Sequence, residues 1–72
     1  MDTPNKELQP HQARVVEEKK QLDERISKLQ AFMETDTRRG LSDLEQWLLL
    51  DQLNTMVYYS ELLGKRIALW NN

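Results

Sequence analysis

The first half of the chain carries apolar residues at the spacing of one face of an α-helix. Six positions, separated by 4, 3, 4, 3 and 4 residues, form this stripe: Val15, Lys19, Leu22, Ile26, Leu29 and Met33. No glycine or further proline interrupts the segment after Pro10, and proline suits the first residue of a helix because its missing N–H would have had no partner there. The pattern predicts a helix from Pro10 to about Met33, roughly 36 Å long at about 1.5 Å per residue.

A second helical pattern follows a break in the periodicity. Residues 34–41 contain turn-forming side chains and Gly40, so they predict a connecting loop. Ser42 and Glu45 have the spacing of a capping box, which satisfies the first backbone N–H groups of a helix. A longer helix is therefore predicted from about Asp43 to Ala68 or beyond. Its main apolar face consists of Leu49, Leu53, Met56, Ser60, Leu63, Ile67 and Trp70.

The apolar surface of this second helix is wider than one partner helix can cover. A second line runs beside the main face: Leu48, Thr55, Tyr59, Leu62, Arg66 and Leu69. Either a short helix from residues 1–9 folds back onto this line, or the line is a subunit interface. We favour the interface, because a bare two-helix hairpin is unstable in isolation. Trp47 lies on the polar side of the helix, so its burial also requires another surface.

The size of the chain supports the same expectation. With 72 residues it forms a single domain, and without cysteine it has no disulfide to compensate for a small core. The predicted fold class is all-α: a two-helix hairpin (residues 10–72) with a short N-terminal arm (residues 1–9), assembling into a helical homo-oligomer. No apolar run is long enough to span a bilayer and the first residues do not resemble a signal peptide, so we expect a cytoplasmic location.

Cations inside the apolar lines are the candidate functional residues. Lys19 lies in the stripe of the first helix and Arg66 lies in the second line of the other helix. A half-buried cation must be paired. Its partner is either a carboxylate on another helix or an anionic ligand, and the sequence leaves both open.

Further cations lie on the first helix. Arg14 and Arg25 are three turns apart and share a side, and Lys28 is a neighbour of Arg25. Interleaved acidic residues could instead pair with these cations on a solvated face.

Catalysis, metal binding and cofactor binding have no support in the sequence. His11 is the only histidine, and the chain contains no zinc-binding, calcium-binding or phosphate-loop motif. We therefore expect a protein that is not an enzyme and holds no cofactor or metal. A net charge of −2 argues against DNA as a partner, although it does not exclude a small anionic ligand.

The chain resembles a family of small phage proteins. The resemblance covers residues 10–69 and is carried by the runs 11–19 and 22–29, Phe32, the run 45–49, Gln52, Leu53, Met56, Tyr59 and the run 63–67. Its members share a helical-hairpin domain found in anti-CBASS and anti-Thoeris proteins, which act as sponges for cyclic-nucleotide signals. The short chain is most similar to the minimal anti-CBASS form.

The resemblance implies a phage anti-defence protein in the host cell cytoplasm. It implies a compact homo-oligomer, with a hexamer as the expected form, that binds cyclic di- and trinucleotides between protomers without cutting them. It assigns His11 as a stacking ring and Arg66 as a contact in a symmetric trinucleotide pocket. The matching cations of the first helix are Arg14, Lys19, Arg25 and Lys28.

Two other functions remain open. The first is a structural or adaptor protein that binds a partner protein through its wide apolar face. The second is an enzyme, which the absence of any motif makes the weakest of the three. The surroundings of Lys19 and Arg66 separate ligand binding from the adaptor role, because carboxylates from other subunits that satisfy both cations would favour the adaptor.

Overall fold

The computed structural model describes residues 8–70 and contains two long helices joined through a short one. Helix α1 spans Pro10–Phe32, α2 spans Asp36–Arg39 and α3 spans Asp43–Trp70. The start of α1 at Pro10, the start of α3 at Asp43 and the greater length of α3 are confirmed. The all-α prediction is confirmed as well. Of the predicted N-terminal arm, residues 1–7 lie outside the described residues, as do the last two residues of the predicted hairpin domain.

The core lies between α1 and α3, which pack antiparallel in a body of 53 × 17 × 17 Å. Its buried side chains are Val15, Leu22, Ile26 and Leu63, of which Leu63 is completely buried. The partly buried residues around them are Leu53, Met56, Val57, Ile67 and Trp70. The stripe predicted on α1 and the main face predicted on α3 are therefore the two sides of the core, as their periodicity indicates.

The prediction of a connecting loop over residues 34–41 is wrong in part, because residues 36–39 form a single helical turn, α2. Thr35 caps this turn, since its hydroxyl accepts a hydrogen bond from the Arg38 amide at 3.4 Å. The negative charge of Asp36 lies at the N-terminus of this turn and the positive charges of Arg38 and Arg39 lie at its C-terminus. Both placements are favourable for the helix dipole. Residues 8–70 thus form three helices where the sequence predicts two.

Side-chain hydrogen bonds of Arg38 and Gln46 connect the end of α1, the turn α2 and the segment before α3. The Arg38 guanidinium donates from Nε to the Met33 carbonyl at 3.0 Å and from Nη1 to Gln46 Oε1 at 2.8 Å. Gln46 Nε2 in turn donates to the Leu41 carbonyl at 2.8 Å. These bonds satisfy carbonyl groups just beyond the last turn of α1 and in the segment before α3. At the start of α3, the Glu45 amide donates to the Ser42 hydroxyl at 3.1 Å, which is the first of the two bonds in the predicted capping box. The second bond, from the Ser42 amide to the Glu45 carboxylate, is absent from the described residues.

None of the described helices combines the length and the apolar character needed to cross a membrane.

Candidate functional site

Lys19 has two partners within its own chain. Its ammonium donates to Asp23 Oδ2 at 2.9 Å and to Ser60 Oγ at 2.9 Å. The Ser60 hydroxyl donates to the other oxygen of the same carboxylate, Oδ1, at 2.5 Å. We call this triangle of side chains the inner polar cluster. The sequence analysis expects either a carboxylate on another helix or an anionic ligand as the partner of Lys19. The structure corrects this expectation, because the carboxylate lies on the same helix and the partner on α3 is a hydroxyl.

Small residues on α3 make room for the lysine. Ser60 and Gly64 are one turn apart, and both face α1. A Cβ atom at Gly64 would lie 3.4 Å from Lys19 Cε, which is about van der Waals contact. The methylene chain of Lys19 thus lies against α3 at Gly64 while its ammonium reaches Ser60.

The inner polar cluster keeps Asp23 ionised. The hydrogen bond from Ser60, and then that from Lys19, lower the pKa of Asp23 below its ordinary value of 3.8, while partial burial acts weakly in the opposite direction. The Ser60 hydroxyl donates one hydrogen bond to this carboxylate and accepts another from the Lys19 ammonium, so each polar group of the cluster has partners within the chain.

A groove of about 460 Å³ lies beside the inner polar cluster and is open to solvent. It is lined by Val16, Lys19, Lys20, Asp23, Glu24, Ser27 and Ile67. At about 100° per residue, Val16 and Ser27 point to the side of α1 opposite Arg14 and Arg25. Of the six residues predicted to bind a ligand, Lys19 alone lines this groove.

The other side of the hairpin carries the arginines. Arg14, Glu18 and Arg25 fall within an arc of about 40° on α1. The Tyr59 hydroxyl of α3 donates to Glu18 Oε2 at 2.5 Å, so it ties this side of α1 to the second apolar line of α3. Tyr59 and Arg66 both belong to that line. The arginines of α1 and Arg66 of α3 therefore share one side of the molecule.

Three of the six predicted residues come together at one end of this side. From the Tyr59–Glu18 contact, one turn back along α1 leads to Arg14, and two turns forward along α3 lead to Arg66. Because the helices are antiparallel, both steps lead to the same end of the hairpin, away from α2, and His11 lies one turn further along α1. We call His11, Arg14 and Arg66 the open-end cluster. All three side chains are exposed.

The remaining predicted residues lie elsewhere. Arg25 and Lys28 are exposed but lie about 16 Å and 21 Å along α1 from Arg14, toward α2. Lys19 belongs to the inner polar cluster. The structure therefore separates the six predicted residues into three places, and nothing in it tests whether any of them binds a ligand.

The electrostatics of Tyr59 connect it with Arg66. The hydrogen bond to Glu18 raises the pKa of the Tyr59 phenol, chiefly because ionising the phenol would give up that bond and place two negative charges side by side. The positive charge of Arg66 acts in the opposite direction, so the guanidinium lies within electrostatic reach of the phenol oxygen. The two ion pairs between described residues are Lys19–Asp23 and Arg39–Asp36, and neither involves the open-end cluster.

Sequence reasoning missed Tyr59, Ser60 and Arg38 as polar contacts. It treated Tyr59 as a packing residue and Ser60 as one member of an apolar face. A signal for the inner polar cluster was present, since Lys19 and Asp23 have the i, i+4 spacing of a helical ion pair and Ser60 is a polar residue in an apolar stripe.

The fold is therefore a small all-helical hairpin with a structural polar cluster inside and a set of exposed cations on one side. The chain belongs to the Sequestin family, which matches it over residues 9–69. It is also similar to an uncharacterised 7.5 kDa protein from the denB–rIIB intergenic region of Enterobacteria phage T4. The two chains are 47% identical over 58 residues, which is 81% of this chain and 91% of the phage protein. No solved structure gives a significant match. The predicted relationship to small phage proteins is confirmed at the level of the family.

Proposed function

We propose that this protein sequesters cyclic di- or trinucleotide immune messengers of a phage host, and that it binds them without cleaving them. The name of its family describes sequestration, and its relative in phage T4 supports a phage role. The resemblance of the sequence to cyclic-nucleotide sponges supplies the class of ligand. In this proposal the protein acts in the host cytoplasm, where such messengers are made.

The observation that carries the proposal is the open-end cluster. Arg14 and Arg66 come from different helices and lie on the same side at the same end of the hairpin, with His11 beside them and the Tyr59 ring two turns away. A cyclic oligonucleotide presents phosphates and flat bases. Guanidinium groups form paired hydrogen bonds with phosphate oxygens, and histidine or tyrosine rings stack on bases. The hydrogen bond to Glu18 holds the Tyr59 ring in place.

Assembly of identical chains completes the proposed site. A single hairpin offers an open surface at this end, whereas tight small-molecule sites enclose most of the ligand. Symmetry would bring open-end clusters of several protomers around one ligand and convert scattered cations into a concentrated positive site. In this proposal an anion between converging Arg66 side chains also removes their mutual repulsion.

Thermal unfolding with a panel of cyclic di- and trinucleotides tests the proposal. A ligand that binds only the folded protein stabilises it by about 2.7 kcal/mol at 100 times its dissociation constant. We expect at least one messenger to raise the melting temperature and to be recovered intact after the protein is denatured. Recovery of linear nucleotides in place of the cyclic ligand would show that the protein cleaves the messenger and is an enzyme.

Matched arginine variants locate the site in the same assay. We expect Arg14→Ala to abolish or strongly reduce the shift. Arg39→Ala is the control, because it removes the same charge from the opposite end of the hairpin, where Arg39 pairs with Asp36. Equal losses in both variants would indicate non-specific attraction of anions and contradict the site.

An adaptor function has one observation in its favour, which is the exposed apolar surface of α3. Leu44, Trp47 and Leu69 are each more than half exposed in the single chain. An adaptor would show no melting shift with any cyclic nucleotide and would bind a protein from the host or the phage through this surface.

A further inference from the structure

The side of α3 that faces away from α1 has the pattern of a coiled-coil seam. Eight exposed residues follow each other at alternating intervals of 4 and 3: Leu44, Leu48, Asp51, Thr55, Tyr58, Leu62, Lys65 and Leu69. Five of them are large apolar or aromatic side chains with exposures from 38% to 73%. We call this row the outer seam. It is about 38 Å long at about 1.5 Å per residue, and its repeat is the heptad that packs one helix against another.

The charges in the outer seam distinguish two ways of pairing it with a copy of itself. Asp51 and Lys65 are the two charged residues of the row, and Tyr58 lies midway between them. In a parallel pair, each Asp51 would face the other Asp51 and each Lys65 the other Lys65. In an antiparallel pair related by a two-fold axis near Tyr58, Asp51 of each chain would lie beside Lys65 of the other. The charge pattern is therefore self-complementary only when the helices are antiparallel.

Two further side chains fit this arrangement. Trp47 lies one turn before Asp51, is 61% exposed and flanks the seam. The methylene chain of a lysine that reaches Asp51 from a second copy would cover the indole ring, with its ammonium at the carboxylate. Thr55, the uncharged polar member of the seam, already donates its hydroxyl to the Asp51 carbonyl at 3.0 Å, so its burial leaves no donor unsatisfied.

We propose that the outer seam is the docking surface for α3 of a second copy of this chain, antiparallel and two-fold symmetric, with two Asp51–Lys65 pairs between the copies. The inference rests on the part of the proposed function in which identical chains assemble. It adds one surface that they use and the orientation of the chains there. Because antiparallel pairing about an axis near Tyr58 places the open-end clusters of the two copies at opposite ends of the pair, their convergence around one ligand requires a second contact surface. Ligand binding at the open-end cluster does not enter it.

Charge reversal at the two positions tests the proposal by sedimentation velocity. The wild-type protein should sediment at a mass of at least two chains of 8.6 kDa. Asp51→Lys and Lys65→Asp should each weaken association at least tenfold, because two attractions become two repulsions. An equimolar mixture of the two variants, and the double variant Asp51→Lys with Lys65→Asp, should both regain it. Glu24→Lys is the matched control, since it makes the same charge change on the exposed side of α1 that faces away from α3 and should leave the mass unchanged.

The outcomes separate this inference from the proposed function. A wild-type protein that stays at 8.6 kDa at high micromolar concentration overturns the seam. Association that persists unchanged in both single variants, as a parallel pair would show, also overturns the antiparallel seam. That result would remain compatible with assembly in another orientation or through another surface. If the wild type and the variants sediment at the predicted masses but the wild type binds no cyclic nucleotide, the seam is supported and the proposed sequestration function is contradicted. Binding of another protein by a wild-type chain that stays monomeric would assign the surface to that partner instead.

Discussion

Lys19 and Arg66 look alike in the sequence but occupy opposite kinds of surroundings in the structure. Each interrupts an apolar line of a helix. The Lys19 side chain is 30% exposed and donates to a carboxylate and a hydroxyl of its own chain. Arg66 is exposed on the second apolar line, at one side of the hairpin, within electrostatic reach of Tyr59. The surroundings of a cation therefore depend on whether its position lies between the two long helices, where partners are built in, or at the exposed side of the hairpin.

The largest loss of stability is expected from Asp23→Ala. The change leaves the half-buried Lys19 ammonium without its carboxylate and the buried Ser60 hydroxyl without its acceptor. We expect a loss of about 1–2 kcal/mol in the free energy of unfolding, the lower part of the range for an unsatisfied group, because solvent reaches both charges. Urea denaturation measures it. Glu24→Ala is the control, and an equal effect of the two changes would contradict a structural role for the inner polar cluster.

Ser60→Ala should have the next largest effect. It removes the contact that joins the Lys19–Asp23 pair to α3, while the pair itself remains. The expected loss is about 0.5–1.5 kcal/mol, the usual net value of a hydrogen bond in a folded protein. Ser27→Ala removes a hydroxyl on the exposed side of α1 and should change stability by less than about 0.5 kcal/mol. A Ser60→Ala protein as stable as the wild type would show that the cluster does not hold the helices together.

Acid should weaken the inner polar cluster in a predictable direction. Because the pKa of Asp23 is lower in the folded chain than its ordinary value of 3.8, its contribution is fully present above that value. The contribution is lost as the pH falls through the lower pKa of the folded state. Stability measured between pH 6 and pH 2 should therefore decline less in Asp23→Asn than in the wild type. Identical pH profiles would contradict this assignment.

The smallest expected effect concerns the phenol of Tyr59. Arg66 lowers the pKa of Tyr59 against the larger upward influence of Glu18, so Arg66→Ala should raise that pKa further. Absorbance of the phenolate during an alkaline titration measures it, in a Tyr58→Phe background so that Tyr59 alone is observed. Glu18→Gln should shift the pKa of Tyr59 downward. An unchanged titration in Arg66→Ala would place the guanidinium away from the ring.

Most of the fold could be predicted from the sequence because the residues that start the helices and the apolar spacing that defines their buried faces indicate the same two long helices. Pro10 and Ser42 mark helix starts by their own chemistry, and the apolar spacing defines the buried faces. The turn α2 could not be predicted because its four residues are too few to show a helical period. In a polar segment, the capping residue Thr35 also resembles a turn-forming residue.

The sites were harder to predict because they depend on the register between the helices. The Lys19–Asp23 pair is readable from its spacing, but its contact with Ser60 joins residues 41 positions apart. The same is true of the Tyr59–Glu18 bond, which brings Arg14 and Arg66 to one side. No periodicity within a single helix carries this information. The sequence could thus identify the cations without indicating which of them face each other.

In the proposed function Arg66 contacts the ligand, whereas Lys19 stabilises the contact between α1 and α3. One paired measurement separates these two roles. Arg66→Ala and Lys19→Met are each compared with the wild type for melting without ligand and for messenger affinity by calorimetry. Arg66→Ala should keep the unliganded stability within about 0.5 kcal/mol and lose affinity by roughly 1.5–3 kcal/mol, about ten- to hundredfold. Lys19→Met should lower stability and leave affinity nearly unchanged. An Arg66→Ala protein that melts well below the wild type while binding messengers normally would show that Arg66 stabilises the fold and does not contact the ligand.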